Sequence, residues 1–132
     1  MKIAVLIARI ALGLLFLVFG LNFFIPFIPM GAQPPMSPAA TAFNTGLFGS
    51  GYFFQMVKVL EVVCGLFILI NRFTAFFLLV LLPISVNIFL FHAILAPDGV
   101  AMGAGILVIH LFLGYAYRKY YASLFTASPT ID

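Results

Sequence analysis

The sequence predicts an all-α integral membrane four-helix bundle with both termini cytoplasmic, and three observations predict it. Of the 132 residues, 65% are hydrophobic and 7% charged, and the mean hydropathy is +1.28, whereas ordinary soluble domains are about 45–50% apolar and about 25% charged. A chain this short leaves too much surface exposed to hide such an excess from water. The apolar residues also fall in four stretches of bilayer-crossing length. Finally, the Lys and Arg of the ends and connections occupy only one side of the resulting topology, and the length allows a single domain, 1–132.

The first stretch, about 3–25, is interrupted only by Arg9 and Asn22 and ends at Pro26. Met1-Lys2 and a faint Ala40-Thr41-Ala42 cleavage pattern resemble a signal peptide. The apolar run to Phe24 exceeds the usual 7–15-residue core of such peptides, so it reads as a retained span. The connection 26–51 carries no formal charge, and Pro26, Pro29, Pro34, Pro35 and Pro38 rule out a continuous helix at its start. Ser37-Pro38 is a helix-start signal, with the helix expected to run to about Asn44 before the Gly-rich stretch Thr45–Gly51. Phe43, Leu47 and Phe48 allow this segment to fold into the outer mouth of the bundle; a flexible outer loop is the alternative.

The second span is Tyr52–Ile70, the third about 73–96 with Pro83, Asn87 and His92, and the fourth about 100–117 with His110. Lys2, Arg72 and Arg118-Lys119 flank one side, while the other two connections have no Lys or Arg. That asymmetry places both termini and the 71–72 turn in the cytoplasm, with Tyr115, Tyr117, Tyr120 and Tyr121 as an inner aromatic belt.

The six basic residues are dispersed, which excludes the clustered basic face of a nucleic-acid binder. Cys64 is the single cysteine, so neither an internal disulfide nor a CxxC pair is available. It reads as a small packing hydrophobe. No HxxxH or carboxylate–His spacing indicates a metal. A haem between His92 and His110 is disfavoured by a depth mismatch of roughly 8–9 Å.

Candidate chemistry centres on the three charges inside spans, Arg9, Lys58 and Glu61. A charge near mid-bilayer costs roughly 2.5–3.5 kcal/mol on insertion scales, so each needs a partner within the protein. Counting about 1.5 Å per residue from the cytoplasmic ends puts Arg9 and Glu61 within about 6 Å in depth, and an Arg9–Glu61 interhelical pair is expected. Lys58–Glu61, one turn apart in the less favourable order, is the intrahelical alternative. Glycine spacings (Arg9, Gly13, Gly20; Glu61, Gly65; Gly103, Leu107, His110, Gly114) mark inner faces and bring His110 towards the same polar network. Asn22 and Asn87 are expected to form interhelical hydrogen bonds, and His92 to bond near the outer surface. This network reads either as a register-fixing ion-pair cluster or as a ligand or proton site.

Ordered motifs run along nearly the whole chain. Arg9-Ile-Ala-Leu-Gly13 and Phe19-Gly20-Leu21-Asn22-Phe23-Phe24 are followed by Gly51-Tyr52-Phe53, Lys58-Val-Leu-Glu61 and Gly65-Leu66. Asn71-Arg72-Phe73, Leu82-Pro83-Ile84, Val86-Asn87-Ile88, Leu90-Phe91-His92 and Pro97 complete the series. Together they resemble the DoxX family of small four-helix bacterial membrane proteins. The resemblance implies a multi-pass protein of the bacterial cytoplasmic membrane. It also implies kinship with the membrane subunit of a thiosulfate:quinone oxidoreductase and with complexes of oxidative-stress and thiol handling. Phe23 stands where many relatives are expected to carry Lys.

The leading expectation is an accessory or quinone-associated subunit of a membrane redox system. It would bind quinone non-covalently near Arg9, Lys58 and Glu61, with catalysis residing in a membrane or soluble redox partner. The chain offers no dithiol or metal-ligand set for redox chemistry of its own. A small-solute transporter or permeation helper is the second reading and a non-catalytic scaffold the third. A homo-oligomer is compatible with all three.

Overall fold

Apolar sequence interrupted only by Arg9 and Asn22 gives helix α1 (Lys2–Phe24), 23 residues long, which stops before Pro26. The computed structural model describes residues 1–29 and 35–131; within the proline-rich connection, Pro34 lies outside the described residues. The other elements are α2 (Pro38–Gly49), α3 (Phe53–Leu69), α4 (Thr74–Leu90) and α5 (Val100–Ala116). A π-helical turn, Phe91–Leu95, extends α4, and short 3-10 helices occupy Pro97–Gly99 and Arg118–Phe125. Among the described residues there is no strand.

Three helical stretches are long and apolar enough to cross a membrane: Lys2–Phe24, Thr74–Leu95 and Pro97–Ala116. They are four if α2 and α3 count as one span, bent by 85°. By itself α3 has 17 residues, or about 26 Å of axial rise, slightly short of a roughly 30 Å hydrocarbon core. Large apolar side chains are exposed along the long helices, among them Ile7, Phe76, Leu79, Val108 and Leu111. Such a surface suits lipid rather than water.

The core is a set of residues spaced by one or two helical turns: Leu12 and Phe16 of α1, Cys64 and Ile68 of α3, Leu78 and Leu81 of α4, Ile106 and Leu113 of α5. The closest helix pairs are α1 with α3 and α4 with α5. Gly13 and Gly65 explain the first. A Cβ built on Gly65 would lie 2.6 Å from the Leu17 backbone nitrogen, and one on Gly13 2.8 Å from that of Leu69. Backbone meets backbone there, with no room for a methyl group. On α5 the buried face is Gly103, Ile106, His110 and Leu113. Leu107 and Gly114, expected on that face, are only half-buried, and a Cβ on Gly114 would meet nothing within 4 Å.

The turn between α3 and α4 is a Schellman cap. Asn71, at φ 58°, takes the left-handed position that Asn tolerates. The Arg72 amide bonds the Phe67 carbonyl at 2.9 Å, and the Asn71 amide bonds that of Ile68 at 3.3 Å. Thr74 then donates to the Asn71 side-chain oxygen at 2.7 Å.

Helix α2 begins as its sequence dictates: Pro38 is in the first turn, and the Ser37 hydroxyl accepts the Ala40 amide at 3.2 Å. It runs past the expected end near Asn44 to Gly49, so the Gly-rich stretch is largely helical. Gly46 and Gly49 cost about 1 kcal/mol each in a helix, and tertiary packing offsets this. Phe48 meets the Phe54 ring at 4.3 Å and Phe43 the Phe91 ring at 5.4 Å. Ser37 also donates to the Leu95 carbonyl at 2.9 Å, tying α2 to the π turn. The segment is thus folded over the bundle end where α1 finishes and α3 begins.

Candidate functional site

Lys58 and Glu61 lie one turn apart on α3, with Nζ 3.2 Å from Oε2 and 3.5 Å from Oε1. Glu61 is buried and Lys58 nearly so, their side chains retaining 7% and 18% of full exposure. The ammonium also lies 5.3 Å from the centre of the Phe54 ring, a cation–π contact strengthened by partial desolvation. Both residues line a cavity of about 430 Å³ among α2, α3 and α4. Phe43 and Leu47 of α2 and Phe54 and Val57 of α3 supply apolar wall, as do Ile84 and Ile88 of α4. Pro83 and Asn87, one turn apart on α4, complete it.

Arg9 does not join this pair. Its Nη1 donates to the carbonyls of Ile68 and Leu69, at 2.9 and 2.6 Å, in the last turn of α3. These acceptors belong to a helix end with too few amides to satisfy them, and they form the negative end of the helix dipole. The guanidinium is a cap delivered from a neighbouring helix. The expected Arg9–Glu61 pair fails because side chains tilt towards the N-terminus of their own helix. Since α1 and α3 are antiparallel, that tilt carries Arg9 and Glu61 apart along the bundle axis, and Glu61 takes the intrahelical partner.

His110 is likewise elsewhere. Its Nε2 bonds the Leu78 carbonyl at 2.7 Å, and its Nδ1 meets the Ser85 hydroxyl at 2.7 Å. A carbonyl only accepts, so Nε2 carries the proton and the Ser85 hydroxyl donates to Nδ1. All polar atoms of this α4–α5 link are satisfied, and both side chains are buried. Ser85 was not singled out by sequence reasoning. A depth match would have found it: Ser85 lies ten positions before Leu95, where the π turn ends, and His110 ten positions after Val100 at the same end of the bundle.

Neither Asn forms the interhelical bond expected of it. The Asn22 side-chain oxygen accepts the amides of Phe27 and Ile28 at 2.9 and 2.8 Å. It thereby satisfies the chain as it leaves α1. Asn87 faces the cavity and has no side-chain hydrogen bond among the described residues. His92 lies at the π turn, with Nδ1 3.4 Å from the Ala96 carbonyl. A Cβ on Gly99 would collide with its ring, so a larger residue there would displace the imidazole. Of the seven candidate residues, Lys58, Glu61 and Asn87 are brought together, while Arg9, Asn22, His92 and His110 serve separate local links.

Comparison of the chain with protein-family models, curated proteins and solved structures returned no match. The cavity and its polar groups are therefore the footing for a functional reading.

Proposed function

We propose that the chain is a multi-pass membrane protein whose α2–α3–α4 cavity binds a quinone or a similar amphipathic small molecule, as an accessory subunit of a membrane redox system. The observation that carries this is the cavity of about 430 Å³, apolar except for Lys58, Glu61 and Asn87. Small-molecule sites combine mostly apolar walls with a few orienting polar groups, in volumes of about 300–1,000 Å³. The lining suits a flat ring: Phe43, Phe53 and Phe54 supply aromatic wall, and the Lys58 ammonium and the Asn87 amide offer donors to ring oxygens. Electron transfer would belong to a partner. Lys2, Arg72, Arg118 and Lys119 at one bundle end support cytoplasmic termini. The DoxX-like motifs support the bacterial cytoplasmic membrane and the redox context.

The test is thermal unfolding of the detergent-solubilised chain with a short-tailed quinone. Stabilisation of the wild type is expected. Glu61→Gln, which breaks the ion pair that positions Lys58, is expected to weaken binding by about tenfold or more. No quinone-dependent shift in the wild type at any pH from 5 to 9 would refute the reading.

A further inference from the structure

A second cavity lies at the opposite end of the bundle, between the start of α1 and the end of α5. It measures about 590 Å³, and its lining includes Lys2, Val5, Tyr115, Arg118, Lys119 and Tyr120. Three cationic side chains from two helix ends gather around it. The acidic residues among the described part of the chain, Glu61 and Asp98, lie on the cavity-bearing half of α3 and in the connection at the far end of α4.

Two of the cations are held by aromatic rings. The Arg118 guanidinium stacks 4.1 Å from the Tyr115 ring centre, and the Lys119 ammonium lies 5.0 Å from that of Tyr120. Arg118 Nη1 donates to the Tyr115 carbonyl at 2.9 Å. That single bond leaves the guanidinium's other donors for a ligand. Val5 and Ala116 add apolar wall beside these polar groups.

We infer that this cavity binds a phosphate group of net negative charge, carried by an anionic phospholipid. Basic pockets between helix ends suit lipid headgroups, and each Lys or Arg near the surface adds to the attraction. Tyr115, Tyr117 and Tyr120 have the amphipathic rings that favour headgroup depth, and the apolar wall gives acyl chains a path along α1 and α5.

Native mass spectrometry of the full chain from detergent micelles tests this, with phosphatidylglycerol, phosphatidylcholine and inorganic phosphate as probes. Phosphatidylglycerol is expected to be retained about tenfold or more over phosphatidylcholine. That preference disappears in the triple variant Lys2→Gln, Arg118→Gln, Lys119→Gln. Arg72→Gln removes a charge at the same bundle end but outside the cavity, and keeps it. Displacement of phosphatidylglycerol by millimolar inorganic phosphate would identify free phosphate as the ligand and overturn the assignment to a lipid. Equal retention of the two lipids by the wild type overturns the proposal whether or not the triple variant folds. Loss in Arg72→Gln as complete as in the triple variant overturns it too.

Discussion

On its α1 side, helix α3 meets another backbone; towards α4 it borders a cavity. At the α1–α3 seam, Gly13 and Gly65 bring backbone against backbone, and Arg9 closes the last turn of α3. Between α3 and α4 the rings of Phe67 and Phe77 stack at 4.7 Å near the connecting turn, but towards the other end a space opens that holds Lys58, Glu61 and Asn87 beneath α2. Close packing and polar opportunity are thus separated within one helix. In lipid, where tails are as apolar as Leu, close approach is a main source of helix association. A bundle held rigid along one seam can leave another open. The seam has no space for a ligand, and the cleft makes little contribution to holding the helices together.

Three sets of substitutions can break or sharpen that contrast. Gly65→Ala is expected to be the most damaging, because the new methyl would meet backbone, which cannot rotate away. A loss of about 3 kcal/mol, the upper end of ordinary overpacking, is expected in denaturant unfolding from detergent, against about 0.5 kcal/mol or less for Asn87→Ala in the cleft. Comparable costs at the two sites would mean that seam and cleft do not differ as described.

Next comes Arg9→Met, which takes a donor from two carbonyls, leaving that of Ile68 with the 3.3 Å bond from the Asn71 amide, and is expected to cost about 2 kcal/mol. Combined with Glu61→Gln, it should add within about 0.5 kcal/mol, since the two side chains share no partner. Lys58→Met with Glu61→Gln should deviate from additivity by more than that. A larger coupling for Arg9 with Glu61 than for Lys58 with Glu61 would restore the interhelical ion pair.

The smallest effect is expected away from α3. The Tyr121 hydroxyl donates to the Ala75 carbonyl at 2.7 Å, pinning the Arg118–Phe125 segment against the start of α4. Burial pushes the Tyr121 phenol above its ordinary range. Its bond is therefore fully present below the unfolded pKa of about 10 and lost as pH rises through the higher folded value. Tyr121→Phe should cost about 1 kcal/mol at pH 8, and the gap from wild type should narrow towards pH 11. A gap unchanged with pH would detach the hydroxyl from the folded state's alkaline sensitivity.

Helix positions were legible because hydropathy along a chain this apolar is dominated by one variable, distance from water. Span ends fell close to Pro26, the Asn71-Arg72 turn and Pro97, where proline or a left-handed residue interrupts the helix. The helix at Ser37-Pro38 was legible from its cap, but its length was not, because Phe43 and Phe48 stabilise it through residues distant in sequence. At the site, Lys58 and Glu61 stood out as charges in an apolar run. Their pairing was misjudged because depth was counted at Cα, and side chains in antiparallel helices lean in opposite directions. His110 was recognised as polar and buried; Ser85, short and common in membrane helices, carried no signal until matched for depth.

The ring-stacked ion pair on α3 has an electrical consequence. Opposite unit charges 3.2 Å apart present the cavity with a dipole rather than a net charge. A field of that kind falls off faster with distance than that of a lone ion. A free anion or cation drawn through lipid would gain little from it at range, whereas a neutral molecule with its own polar edge would be turned into register on contact. The cavity is thereby built to orient rather than to attract.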